Sequence, residues 1–336
     1  MMKKMITALL LVLNAAVIYA DNYWTRDTVL GEGFEVHKFD MGKDYSGKVI
    51  STVTRHRSHC NDSIGVLYVH GYNDYFFQKD EADRFADSCY NFYAVDLRKY
   101  GRSILPGQTP TQARDMREYF PDIDSALTTM KHDGIKKVAL MGHSTGGLIS
   151  SYYMGEQPDS IIKCLILNSP FLEWNMNGFM RNVAVPSVGA LGKLFPNMKI
   201  SQGDGGGYAE SLLKDYHGEW NFNTDWKTIQ PRKVEASWIR AVDKAQSAVR
   251  KGKINRPTLL MHSSQSASGS EWSPDMQHAD AVLNVKDMVK YGPELGSNVT
   301  LHEVPGGMHD LFLSSQPARN DAYEAAFKFL REQNLR

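Results

Sequence analysis

A mostly parallel α/β sheet covered by helices on both faces is the architecture predicted for this chain, and three observations predict it. Seven short β-type runs alternate with helical segments: GKVISTVTR, IGVLYVHG, NFYAVDLR, KVALMGHS, IIKCLILNSP, RPTLLMHSS and NVTLHEVPG. At 336 residues, with 42% hydrophobic and 11% aromatic side chains, the chain has enough apolar material for one large core. The alternation also stops only once, between Pro170 and Arg256, and then resumes. That pattern describes one domain with an insertion at about residues 171–255.

Inside the insertion, FLEWNMNGFMRNVAVPSVGALGKLF is apolar without a strict helical period, and KVEASWIRAVDKAQSAVRKG has the period of an amphipathic helix ending at Gly252. SQGDGGGYAES, between them, reads as a loop, and its glycines lack the GK[ST] ending of a phosphate-binding loop. At the other end of the chain, MMKKMITALLLVLNAAVIYA combines two lysines, an apolar run and a small residue before DNYW, the pattern of a signal peptide over residues 1–20. The apolar run is shorter than the roughly 20 residues that span a bilayer. Residues 21–336 would then form the mature, secreted or periplasmic domain.

Thirty-eight basic residues balance 38 acidic ones with no long run of either sign, which argues against nucleic acid as a partner. Three cysteines are too few for a disulfide framework or a zinc cluster. Cys164, within CLIL, reads as a buried small hydrophobe, whereas Cys60 and Cys89 could pair in an oxidising compartment, a point the sequence leaves open.

Chemistry concentrates around KVALMGHSTGG. A β-rich run leads into Gly142-His143-Ser144-Thr145-Gly146, and a helix-compatible GLISSYYMGE follows. A strand, G-x-S-x-G and helix in that order form the strained turn that projects a nucleophilic serine, with small residues allowing strand and helix to pack closely. A serine hydroxyl needs a histidine to accept its proton and a third group to orient that histidine, in the chain order serine, acid, histidine. His309, after the strand-like VTLHEV and a Gly-Gly turn, is the candidate base. His302 sits within the strand pattern and reads as structural; His143 points away from the serine, and His56, His59 and His217 lack partners at metal-ligand spacing.

Four motifs carry a resemblance: YVHGYNDYFFQ (Tyr68 to Gln78), DLRKYGRS (Asp96 to Ser103), GHSTGG (Gly142 to Gly147) and PGGMHD (Pro305 to Asp310). On these the chain resembles the α/β-hydrolases, and among them the monoglyceride lipase, lysophospholipase and serine aminopeptidase-like group, over about residues 45–335. The resemblance implies an α/β-hydrolase fold with an inserted cap, a serine acyl-enzyme, and no metal or organic cofactor. It also implies an oxyanion hole from the backbone N–H groups of Tyr72, after the HGY turn, and Thr145, after the serine. DLRKYGRS departs from the family's D-x-R-G-H-G-x-S at Lys99 and Tyr100, and reads as a structural loop shaping the edge of the site.

The acid is displaced from its usual place. Where the family has a strand ending in His-Gly followed shortly by an Asp, this chain has Ser263 and Ser266. Downstream, HADAVLNVKDM restores the rest of the pattern with Asp280 at the matching position, as if an insertion of about 14 residues had moved the aspartate. Asp280 is the expected acid and Asp275 the alternative, ahead of Glu271, Asp287 and Glu173. Asp310, adjacent to His309, reads as part of a D-x-x-L turn.

Phe171, Leu172, Trp174, Met176, Phe179, Met180, Phe195 and Met198 suit either an acyl-chain pocket or the cap's own core. An apolar cap would also allow transient contact with a membrane surface. A small-molecule ester, lipid-like as in monoacylglycerol or lysophospholipid, is the expected substrate. The competing readings are a peptidase of the same fold, for which Glu173, Asp204 and Glu210 would have to hold a substrate ammonium, and a non-catalytic binding protein that retained the fold.

Overall fold

The structure, a computed structural model, describes residues 24–60, 63–201 and 205–335. The expected signal peptide lies outside the described residues. Along the chain run β1 (Thr25–Arg26), β2 (Phe34–Asp44), β3 (Gly47–His56), β4 (Ile64–Val69), α1 (Lys79–Asp87), β5 (Asn91–Asp96), α2 (Phe120–His132), β6 (Lys137–His143), α3 (Thr145–Glu156) and β7 (Ile162–Asn168). They are followed by α4 (Val185–Leu194), β8 (Lys199–Ile200), α5 (Gly207–Leu212), β9 (Val234–Glu235), α6 (Ala236–Val249), β10 (Thr258–Ser263), α7 (Val285–Tyr291), β11 (Val299–Val304) and α8 (Gln316–Glu332).

Nine strands form one sheet in the order β1-β2-β3-β5-β4-β6-β7-β10-β11. The six from β5 to β11 are parallel, while β1, β2 and β3 join antiparallel at one edge. All seven predicted strands are present. The two strands of this sheet that were not predicted, β1 and β2, lie at its antiparallel edge. There β2 leaves many side chains partly or fully exposed, so its sequence lacks the apolar signature of a central strand.

Successive residues of the central strands enter opposite cores, because side chains alternate across a strand. Leu67, Val69, Val95, Leu140 and Leu167 pack with Ile123 and Leu127 of α2 and Leu148 of α3. Val66, Tyr68, Phe92, Met141 and Ile166 pack on the other side with Phe85 of α1 and Phe329 of α8. Cys164 lies in this second core, fully buried with a free thiol, as its apolar surroundings predict. Cys60 and Cys89 are joined by a disulfide, which resolves the pairing left open by the sequence.

Register then gathers the chain's exits. Val69 pairs with Gly142, while His143 and Met261 both pair with Asn168, so β4, β6, β7 and β10 release their connecting loops at one end of the sheet. In doubly wound sheets ligands bind at the carboxyl ends of the strands. Between β7 and β10, the residues of the insertion supply α4, α5, α6 and the short β8–β9 ladder, with α6 packed on both α4 and α3. Two local expectations change here. The apolar segment that lacked a 3.6-residue period contains a π-helical turn at Met180–Ala184 that feeds α4, and a wider turn disrupts that period. The glycine-rich stretch read as a loop is helical from Gly207 onward.

DLRKYGRS is held by buried ion pairs. Arg102 bridges Asp27 at 2.7 Å and Asp96 at 2.9 Å, Arg98 pairs with Asp122 at 2.6 Å, and the fully buried Lys99 pairs with Asp44 at 2.6 Å. Asp96 also accepts the N–H of Phe76 at 3.0 Å, and Arg102 Nη1 donates to the Phe76 carbonyl at 2.9 Å. The loop therefore secures the segment that follows HGY.

On α1, Glu81 is buried beneath the same segment, and neither carboxyl oxygen has a hydrogen-bond partner among the described residues. Burial, reinforced by the nearby Asp310 and Asp74 charges, raises its pKa well above the ordinary 4.5, so the folded protein keeps the proton. Above pH 4.5 the unfolded chain releases that proton and the folded chain does not. Glu81 therefore lowers stability progressively as pH rises, by up to about 1.4 kcal/mol per pH unit until its folded pKa is reached. Glu81→Gln is expected to match wild type near pH 4 and to gain on it as pH rises above 4.5 in denaturant titrations. Parallel curves for the two proteins would show that Glu81 is not the group holding the proton.

Candidate active site

Ser144 occupies the single-residue turn between β6 and α3 with φ 52° and ψ −117°, a conformation that L-residues rarely adopt. The glycines around it are required by contact. A Cβ on Gly142 would lie 2.6 Å from the Gly146 carbonyl oxygen, one on Gly146 would lie 2.2 Å from the Val69 oxygen, and one on Gly147 would lie 2.9 Å from Pro170 Cβ. The third glycine of GHSTGG thus admits the chain leaving β7. Gly71 approaches from the other side: its Cβ would sit 3.2 Å from both Ser144 Cβ and His143 Cδ2. The HGY turn consequently rests on the serine, with Tyr72 and Thr145 lining the same cavity as Ser144.

His309 enters from the loop after β11. Its Nδ1 lies 2.9 Å from Asp280 Oδ2, and both side chains are buried. The other Asp280 oxygen, Oδ1, accepts the N–H groups of Val282 at 2.8 Å and Leu283 at 2.7 Å. Asp280 reaches this position by a closed excursion from β10. The N–H of Asp280 donates to the Gln265 carbonyl and the N–H of Ala267 donates back to the Asp280 carbonyl, both at 2.9 Å, so Asp280 returns beside Ser266. Ser266 Oγ then donates to the Leu283 carbonyl at 3.1 Å and accepts the Val285 N–H at 2.9 Å, fixing the start of α7.

The alternative acids lie elsewhere. Asp275 and Glu271 are exposed, Asp287 pairs with Arg181 at 2.6 Å, and Glu173 pairs with Arg250 at 3.0 Å. His302 bonds Asp321 at 2.9 Å on the outside of β11. His143, read from the sequence as pointing away from the serine, instead lines the same cavity as Ser144; its ring lies 4.8 Å from that of His309, and burial lowers its pKa to about 4. A neutral His143 places no charge beside His309.

Ser144 and His309 face one cavity of about 390 Å³. Phe171, Trp174, Met176, Trp238, Val282 and Leu283 form apolar wall. Of the eight apolar residues singled out in the insertion, only Phe171, Trp174 and Met176 line it, whereas Phe179, Met180 and Phe195 are exposed. No residue of DLRKYGRS lines the cavity, so that loop acts one layer behind the site and not at its edge.

Sequence reasoning passed over the polar end of the cavity. Asn73, in a left-handed conformation, donates to the Thr228 carbonyl at 2.9 Å and accepts from Thr228 N at 3.2 Å and Arg232 Nε at 3.0 Å. Asp74 forms a buried ion pair with Lys227 at 3.0 Å. These bonds tie the insertion to the turn that carries Tyr72. The adjacent polar pair Asn73-Asp74 inside the aromatic YNDYFF was the available signal.

Comparison with known proteins places this geometry in a family. Phospholipase YtpA of Bacillus subtilis is 25% identical over 237 residues, covering 67% of this chain and 81% of that protein. Mouse epoxide hydrolase 4 is 30% identical over only 105 residues, so that this chain spans 28% of that relative's length. Among solved structures, a monoglyceride lipase from Saccharomyces cerevisiae superposes with a TM-score of 0.66 at 16% identity, over 89% of this chain and 96% of the other. A monoacylglycerol lipase from Paleococcus ferrophilus gives 0.60 at 19% identity, over 89% and 99%. These structures establish the α/β-hydrolase fold. The profile of the Hydrolase_4 family, serine aminopeptidase S33, matches residues 63–316, and the chain belongs to that hydrolase family.

Proposed function

We propose that the protein is a serine hydrolase that cleaves carboxylic esters of lipid-like substrates through an acyl-enzyme on Ser144. The observation that carries this reading is the Asp280–His309 pair, bonded at 2.9 Å, with His309 in the cavity wall that also holds Ser144. With Nδ1 committed to Asp280, Nε2 is the nitrogen that takes the Ser144 proton as Oγ attacks the ester carbonyl. The negative charge on the tetrahedral oxygen is received by the backbone N–H groups of Tyr72 and Thr145. Collapse expels the alcohol, which takes the proton from His309. Water, deprotonated by the same nitrogen, then releases the acid and regenerates Ser144.

An ester is favoured over a peptide because, of the three acidic residues expected to hold a substrate ammonium, Glu173 pairs with Arg250 and neither it nor Glu210 lines the cavity. Asp204 lies outside the described residues. The apolar wall of Phe171, Trp174, Met176 and Trp238 suits an acyl chain, and no step needs a cofactor. Outside the cavity, Phe179, Val183, Leu191, Leu194 and Phe195 are all exposed, which supports transient contact of the insertion with a lipid surface. The Cys60–Cys89 disulfide agrees with residence in an oxidising, extracytoplasmic compartment, and with residues 1–20 serving as a signal peptide.

Ser144→Ala is expected to abolish turnover of p-nitrophenyl esters and labelling by a fluorophosphonate, while Asp280→Asn lowers kcat by on the order of 10⁴-fold. A wild-type enzyme that turns over aminoacyl amides as fast as esters would sink the ester reading; failure of folded wild type to form an adduct at Ser144 would sink the serine mechanism. In vesicle flotation, the double substitution Leu194→Ser and Phe195→Ser should release the protein from phosphatidylcholine membranes and leave hydrolysis of a soluble short ester intact. Unchanged flotation would exclude this surface as the contact. Mass spectrometry of the exported protein is expected to find Asp21 as its first residue, and an intact Met1 in the mature form would refute cleavage.

A further inference from the structure

We infer that Asn168, the last residue of β7, is a positioning residue that holds the turn of Ser144 and the loop of His309 in fixed relation. The inference rests on the serine-hydrolase reading above. Asn168 is fully buried and bonded in both directions. Its backbone carbonyl accepts the N–H of Ser144 at 3.0 Å and lies 3.2 Å from His143 Nδ1. Its side chain reaches the opposite loop, where Nδ2 donates to Asp310 Oδ1 at 2.8 Å and Oδ1 accepts the N–H of Leu311 at 3.2 Å.

Asp310 is the covalent neighbour of His309, and its side chain and N–H make directional contacts. Oδ2 accepts from Gln78 Nε2 at 3.2 Å, Oδ1 also accepts the Phe312 N–H at 3.2 Å, and the Asp310 N–H donates to Tyr208 Oη at 3.2 Å. The ring of His309 is thus held by Asp280 and its backbone by Asp310, which Asn168 clasps. One short residue therefore connects the backbone of the serine to the backbone beside the histidine. A displacement of β7's end carries both groups together instead of separating them.

The clasp needs an amide. Asn168 must donate to a carboxylate and accept from a backbone N–H at the same time. Aspartate has the same shape but would oppose Asp310 Oδ1 with a second carboxylate oxygen, and a small side chain would reach neither partner. Placing the acceptor at 168 and the amide at 310 restores an amide–carboxylate pair with the polarity reversed, at the loss of the Phe312 N–H bond to position 310.

The test measures ester turnover, the second-order rate of fluorophosphonate labelling and thermal unfolding in one set of variants. Asn168→Asp is expected to lower kcat and the labelling rate together, by on the order of 100-fold, as for a displacement of about 1 Å in reacting groups. KM should stay within about twofold, because the substrate-lining residues are untouched. The reversed pair, Asn168→Asp with Asp310→Asn, should recover roughly tenfold or more over Asn168→Asp, a coupling expected only of partners in contact. Asn168→Ser, smaller and uncharged, provides the same reading of kcat and labelling rate if Asn168→Asp does not fold.

Wild-type kcat and labelling rate in a folded Asn168→Asp or Asn168→Ser would overturn the inference. So would a loss explained wholly by fewer titratable sites reacting at the normal rate, since that is loss of folded protein and not of alignment. A wild type that turns over ester yet never reacts with fluorophosphonate would overturn the hydrolase mechanism at Ser144, and the inference with it.

Discussion

The backbone of Ser144, at φ 52° and ψ −117°, is the constraint to which the surrounding structure conforms. A residue in that conformation costs on the order of 1–3 kcal/mol and persists only where its surroundings determine it. Here they do so through contact. Gly142, Gly146 and Gly147 let β6, α3 and the exit of β7 approach to distances that no side chain would permit, and Gly71 brings the HGY turn against the serine. The parallel register that aligns the ends of β4, β6 and β7 supplies the carbonyl of Asn168 to the Ser144 N–H, so the strained turn is held from below by the sheet itself.

Around this turn, buried charge is consistently matched. Asp280 offers one oxygen to His309 and the other to two backbone amides. Asp96 and Asp27 share Arg102, and Asp74 faces Lys227 in the cavity wall. An unpaired buried charge is costly, whereas a paired one with its hydrogen bonds satisfied persists and fixes geometry. Glu81 is the contrasting case, a carboxyl with no hydrogen-bond partner among the described residues that stays neutral because burial holds its proton. The pairs also serve as connections between segments: Asp96 and Arg102 secure Phe76, and Asn73 with Asp74 fastens the insertion to the turn bearing Tyr72.

Much of this was legible before folding was considered, and for identifiable reasons. The seven strands declared themselves through short apolar runs, since strands buried on both faces need apolar side chains throughout. G-x-S-x-G and the downstream His309 were visible because their spacing relative to a strand is local. Edge strand β2 escaped notice because its side chains are half in water. Asn168 went unnoticed for a different reason: a single polar residue closing an apolar strand gains meaning only when a loop from residue 310, 142 positions away in sequence, arrives against it.

By itself, then, the sequence determined the α/β class and the place of Ser144 and His309, because these follow from periodicity or from spacing along a short stretch, whereas Asp280 as the first choice of acid came from the resemblance to the family's pattern. Tertiary structure decided what depends on return paths. It closed the excursion from Ser266 to Asp280 and so brought that carboxylate to His309, joined Cys60 to Cys89, and sorted the insertion's apolar residues into Phe171, Trp174 and Met176 at the cavity and Phe179 and Phe195 in solvent. The physical reason is the same throughout. Local patterns constrain a residue's backbone and burial, but the partner that completes its hydrogen bond or fills its pocket comes from a distant segment whose position only the assembled sheet defines.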